Sequence, residues 1–181
     1  VRPHLAGTPP QLDSLLAWGF DKLAAALDGA DLPAECRIPL RDVRLLAPFP
    51  NPPRIIAAAH NYKDAVIERG MAFPEEPVIF DKHPGTVVGP DEPVMFPESI
   101  GGVTWEAERA VVLGAPLRNA SPDAALAAVA GYFIFNDVSA SEVIRADGNF
   151  ERGKNFPTFG PSGPVFVTAD EVPDPQNLRV R

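Results

Sequence analysis

Proline sets the first limit on what this chain can fold into. It holds 22 prolines in 181 residues, about 12 % against a typical ~5 %. Each one fixes φ and removes a backbone donor, so long helices and central strands can run only between them. They fall between apolar runs, a pattern that predicts short elements joined by ordered loops. With the 14 glycines the combined share is about 20 %, below the ~25–30 % of low-complexity sequence. No internal repeat is present. The expected fold class is therefore α+β, mostly β, with a few short helices and a small N-terminal region.

Residues 1–10 read as a loose lead-in. A helix is predicted over residues 11–28, where Leu12, Leu15, Leu16, Phe20, Leu23 and Leu27 recur at helical spacing and Gly29 marks a stop. Strand-like pieces such as 43–46 follow. Pro48, Pro50, Pro52 and Pro53 form a stiff bridge, which predicts an N-terminal region over 1–48 and a second domain over 49–181. Beyond it, 54–59 reads as a buried strand running into a polar turn and a short helix within 60–70. Residues 78–80, 94–96 and 165–168 read as further strands. Ser121-Pro122-Asp123 opens a helix with a capping serine and Pro at its first position, expected to continue to Ala130. Ser139-Ala140-Ser141-Glu142 has the form of a capping box, whose free N–H groups could hold an anion. Residues 178–181 look like a strand beginning. That ending, together with the opening Val1, suggests a fragment.

The chemistry centres on residues 103–114. Their β-branched, apolar character and the closing Gly114 predict a strand. Side chains alternate along a strand, so Glu106 and Glu108 would share one face. On a helix the pair would diverge by about 200°. Two adjacent carboxylates repel unless positive charge lies between them, and a hard divalent cation supplies it through oxygen ligands. Asp137, where the apolar run 131–135 ends, offers a third carboxylate. A Glu-x-Glu pair is more often the solvated face of an antiparallel sheet, so spacing alone points only to a possible carboxylate metal site.

The formal net charge of −8 argues against nucleic acid or an anionic membrane as partner. No apolar run reaches the ~18–20 residues that a bilayer span needs, and the N-terminus lacks the pattern of a secretory signal. The lone Cys36 cannot form an internal disulfide, which fits a cytoplasmic setting. With no histidine near it in sequence, it reads as a structural thiol.

Several stretches resemble one family in order and with sensible gaps. They are Asn61-Tyr62-Lys63-Asp64 with Glu68, and Pro77-Val78-Ile79-Phe80 with Lys82. Trp105-Glu106-Ala107-Glu108 with 111–114, Asn136-Asp137-Val138-Ser139-Ala140, and the lysine loop over 154–164 complete the set. Together, from about Leu45 to Leu178, they are similar to the fumarylacetoacetate hydrolase family. The resemblance implies a mixed β-roll or sandwich catalytic domain, usually paired as a homodimer. It implies Mg²⁺ or Mn²⁺ held by Glu106, Glu108 and Asp137, with Lys154 and Glu68 as catalytic residues. Asn61, Tyr62, Lys82 and Thr158 are its implied substrate contacts. The implied substrates are small 2-oxo and 1,3-diketo acids of the acylpyruvate type, cleaved at a C–C bond while the cation polarises the carbonyl.

The sequence departs from that pattern. Hydrolytic members carry a histidine three residues before the helix glutamate, where this chain has Ala65. His60 is a possible substitute base, and His83 lies in a neighbouring loop. Ser141 stands where an arginine is usual and Ile144 where a glutamine is frequent. The family's C-terminal Gly-Thr-Pro turn is absent from these residues. Hydrolysis needs an activated water, whereas decarboxylation or keto–enol isomerisation needs chiefly the cation and a proton donor. The leading expectation is a metal-dependent hydrolase of this family, with a decarboxylase or isomerase as its rival. A metal-binding relative without turnover is the reading from another class.

Overall fold

A computed structural model of the chain describes residues 12–28, 30–31 and 33–180. In chain order the elements are α1 (Leu12–Trp18), α2 (Phe20–Leu27), β1 (Ile55–Ala59), α3 (Lys63–Glu68), β2 (Val78–Lys82), β3 (Val87–Val88), β4 (Ala107–Leu113), α4 (Pro122–Ala127), β5 (Val129–Asn136), α5 (Ser141–Asp147), β6 (Gly160–Pro161) and β7 (Val167–Thr168). The fold is of the mixed α+β class expected from the sequence, with short helices and small sheets. Strands β4, β5 and β7 form one sheet in that order; β1 pairs with β2 and β3 with β6. No described helix is long and apolar enough to cross a membrane.

The chain divides into two compact units. One is drawn from Val1–Phe49, Arg109–Ile134 and Gly163–Arg181, the other from Pro50–Glu108 and Phe135–Ser162. Segments 109–134 and 163–181 thus group with the N-terminal stretch, because β5 and β7 pair there.

In the first unit the expected single helix is two. Gly19 lies between α1 and α2 with φ +106°, a conformation open to glycine, so the backbone breaks while the leucine spacing continues. Gln11 and Gly29 lie outside the described residues. Residues 43–46 are irregular and not a strand: a 3₁₀ turn at Leu40–Asp42 precedes them and no strand pairs with them. The Ser121 hydroxyl accepts from the Ala124 N–H at 3.3 Å, as its capping role predicts. Helix α4 nevertheless stops at Ala127, since Val129 and Ala130 already belong to β5. Strand β7 is confined to Val167–Thr168, in register with Gly131 and Tyr132 of β5. Residues 178–180 form no strand, and Arg181 lies outside the described residues. Phe49 packs its ring 5.8 Å from Phe133 and 5.4 Å from Phe166.

The second unit is built on a small core of Ile100, Val138, Ala140, Val143 and Phe159. Strand β1 pairs antiparallel with β2, Ile55 opposite Lys82 and Ala59 opposite Val78. It is half-buried on one face and exposed on the other, with Ile56 58 % exposed, so its apolar run is not a buried core strand. Residues 94–96 form no strand, and the Met95 N–H donates to the Thr158 hydroxyl at 2.8 Å. The capping box does not form either. Helix α5 begins at Ser141 after Ala140, which makes no side-chain cap, and the Ser139 hydroxyl donates to the Asp137 carbonyl at 2.9 Å.

Gly153 lets the lysine loop lie close to α5. A Cβ there would sit 2.4 Å from Ile144 Cγ1 and 3.0 Å from the Ala140 carbonyl, which accepts no closer neighbour without moving. Gly153→Ala should therefore lower stability by about 1–3 kcal/mol through overpacking. Urea denaturation measures it, and an unchanged midpoint would show that α5 and the loop are not held this close.

Candidate active site

The site begins with backbone register in the second unit. Just before β4, the Thr104 N–H donates to the Ser139 carbonyl at 2.8 Å and the Ser139 N–H returns the bond at 2.9 Å. The Asp137 N–H then donates to the Glu106 carbonyl at 3.0 Å. Antiparallel pairing thus sets Glu106 opposite Asp137, where facing side chains lie within about 5 Å. Glu106 precedes the first residue of β4 and is held by a second bond, from its N–H to the Asn136 side-chain oxygen at 3.0 Å.

Two carboxylates so placed need positive charge, and two lysines supply it. Lys154 Nζ lies 2.6 Å from Glu106 Oε2 and 2.5 Å from Asp137 Oδ2. Lys82 Nζ lies 2.7 Å from Asp137 Oδ1 and donates to the Lys154 carbonyl at 2.5 Å. Lys82, Lys154 and Asp137 are 1 %, 4 % and 5 % exposed. The Lys82–Asp137 approach is an ion contact between two buried side chains.

Glu108 stands beside this cluster. Burial, reinforced by the charges of Glu106 and Asp137, pushes its carboxyl up to about 7, against the opposing effects of a Tyr62 hydrogen bond and Lys154. Burial also lowers the Lys82 ammonium, while Asp137 pulls it the other way. Aromatic rings line the lysines. Lys154 Nζ is 5.3 Å from the Phe80 ring and 5.8 Å from that of Phe150, and Lys82 Nζ is 5.9 Å from Phe135.

The residues named from sequence are distributed unevenly. Glu106, Asp137, Lys154 and Lys82 meet directly, and Glu108 and Tyr62 adjoin them. His60 is one ring removed, 6.1 Å from Phe150, with φ 56°. Thr158 is committed elsewhere, accepting from the Met95 N–H and donating to the Met95 carbonyl at 3.3 Å. Asn61 and Glu68 are exposed, and neither meets the cluster among the described residues. Ser141 Oγ lies 3.2 Å from Thr104 Oγ1. Sequence reasoning did not single out Asn136, Phe80 or Phe150. Asn136 carried a usable signal, a polar residue next to the carboxylate at a strand end.

Among the described residues, no group of three or more His, Cys, Asp or Glu side chains forms a ready-made metal cage. The donor chemistry still suits a hard divalent cation. Glu106 and Asp137 converge on one point of positive charge, and Glu108 feels both. The set fits such a cation once Lys154 yields part of its contact.

Comparison with known proteins places this arrangement. The model of the family described as "Fumarylacetoacetate (FAA) hydrolase C-terminal" matches residues 54–181. The chain is 41 % identical over 142 residues to oxaloacetate tautomerase fahd2, mitochondrial, of Xenopus laevis, covering 77 % of this chain and 44 % of that protein. It is similar to the crystal structure of 2-hydroxyhepta-2,4-diene-1,7-dioate isomerase from Mycobacterium marinum, with TM-score 0.64, 38 % identity, and coverage of 73 % and 48 %. It is also similar to a fumarylacetoacetate hydrolase from Exiguobacterium antarcticum, with TM-score 0.73, 32 % identity, and coverage of 94 % and 58 %. The chain thus spans about half the length of these relatives. By the match over 54–181, this chain belongs to the fumarylacetoacetate hydrolase family.

Proposed function

We propose that the chain carries the catalytic cluster of an enzyme that forms an enolate from a small 2-oxo or 1,3-diketo acid. Keto–enol isomerisation is the reaction these residues suit best. The observation that carries this reading is the buried Lys154 ammonium set against Glu106 and Asp137. Its charge stands beside the two carboxylates before any substrate arrives, where a developing enolate oxygen would be stabilised. The relatives named tautomerase and isomerase support the same chemistry.

Glu106, Glu108 and Asp137 would hold Mg²⁺ or Mn²⁺. A bound cation of this kind supplies Lewis-acid polarisation of the substrate carbonyl. Lys154 would hydrogen-bond the carbonyl oxygen as it becomes an enolate and give it a proton. The neutral amine so formed takes the proton released from the adjacent carbon, which restores the ammonium, while the Phe80 and Phe150 rings limit water around its Nζ. C–C hydrolysis is the second reading, favoured by the hydrolase relative. It needs a base for water, and Ala65 cannot accept a proton. His60, behind Phe150, is the candidate.

Oxaloacetate with the full-length natural protein and Mg²⁺, followed by enol absorbance and mass spectrometry, tests the proposal. Interconversion of the tautomers without cleavage is expected. Two carboxylic acid fragments from an acylpyruvate would favour hydrolysis, and cation binding without turnover on a 2-oxo acid panel would favour a non-catalytic relative. Lys154→Met should lower kcat by roughly 10²–10³-fold, the effect of losing one preorganised charge donor. Chelation should suppress turnover and added Mn²⁺ restore it.

Glu108 gives a pH prediction for the cation-free protein. Its folded value lies above the ordinary 4.5, so the folded state favours its protonated form. That contribution is complete below pH 4.5 and is lost as pH rises through about 7. The thermal midpoint in chelator should fall across this window, and Glu108→Gln should remove that part of the fall. An unchanged pH slope in the variant would assign the titration to another group.

A further inference from the structure

We infer that Lys82 is a positioning residue, a buried strut that aims Asp137 and anchors the loop of Lys154, and that it does not touch substrate. The inference rests on the enolate-forming reading of the cluster, and it gives Lys82 a role other than the substrate contact expected from sequence.

Lys82 ends β2, and strand alternation turns it inward while Asp81 and His83 face outward. It is 1 % exposed, and the close polar contacts of its ammonium are to protein groups. Its Nζ is taken up by Asp137 Oδ1 at 2.7 Å and the Lys154 carbonyl at 2.5 Å, with the Phe135 ring 5.9 Å away. With Oδ1 engaged, rotation of the Asp137 carboxylate is restricted, and Oδ2 is left facing Lys154 Nζ at 2.5 Å. One lysine thereby fixes the two partners of the catalytic ion pair, one through its side chain and the other through its backbone.

The flanking residues reinforce the same connection from outside. The His83 N–H donates to Asn155 Oδ1 at 2.6 Å, and Asn155 Nδ2 donates to the carbonyls of Asp81 at 3.1 Å and Glu151 at 2.8 Å. The His83 ring lies 2.9 Å from Glu151. Residues 81–83 are therefore tied, one after another, to residues 151–155. A side chain recruited for substrate alone would need none of this.

The test uses the full-length natural protein with Mg²⁺, oxaloacetate as probe, and two variants. Lys82→Met should lower kcat by about 10–100-fold, as loss of a supporting contact does. KM should stay unchanged, because binding does not use the residue. Lys82→Arg keeps the charge and should recover part of kcat; it carries the kinetic test if Lys82→Met does not fold. Urea unfolding of Lys82→Met, Asp137→Asn and the double variant gives a readout independent of turnover. The double variant should lose less stability than the two single losses combined. A raised KM with kcat intact, or additive stability losses, would overturn the assignment. If the parent protein turns over no 2-oxo acid, the proposed function fails, while the unfolding cycle still decides whether Lys82 is a strut.

Discussion

The buried ammonium of Lys154, set between the carboxylates of Glu106 and Asp137, is the interaction on which the rest of the second unit depends. Like charges side by side are tolerated only when positive charge compensates them. Burial sharpens the requirement, since removing one partner of a buried ion pair typically costs about 3–5 kcal/mol. A second lysine on Asp137, the Asn136 side chain on the Glu106 backbone, and Gly153 beneath the loop all serve to keep this pair in one geometry. None of them has to meet a substrate to do so.

The same constraint explains how a fold of short elements can hold a defined site. Prolines keep the strands brief, and much of β1 and β2 is exposed. Order at the cluster comes from three crossings instead. The Thr104–Ser139 bridge sets Glu106 against Asp137, β2 brings in Lys82, and the 151–155 segment is tied to the end of β2 through Asn155. Each crossing pairs backbone donors or acceptors of segments far apart in sequence.

The carboxylates stood out in the sequence because their signals are local, a Glu-x-Glu beside β-branched residues and an Asp at a strand end, whereas Lys154 was picked out by the family resemblance of its loop. Helix α4 was legible at its start, where Ser121 and Pro122 act within one turn, and not at its end, where pairing of β5 overrides alanine's helix preference. The capping box failed for a related reason. Ser139 is drawn into a bridge with Thr104, a partner 35 residues away that no local pattern encodes. The inward turn of Lys82 and the two phenylalanines beside Lys154 depend on such distant pairings too, and no local pattern marks them.

Enolate formation without water activation is the central claim, and proton exchange reports it directly. The full-length natural protein with Mg²⁺ would be mixed with oxaloacetate in deuterated water and followed by proton NMR. Deuterium entering the carbon beside the keto group faster than in the uncatalysed reaction, with the carbon skeleton intact and the effect lost in Lys154→Met, is the result predicted. Exchange no faster than the uncatalysed rate, or exchange that persists in Lys154→Met, would contradict it.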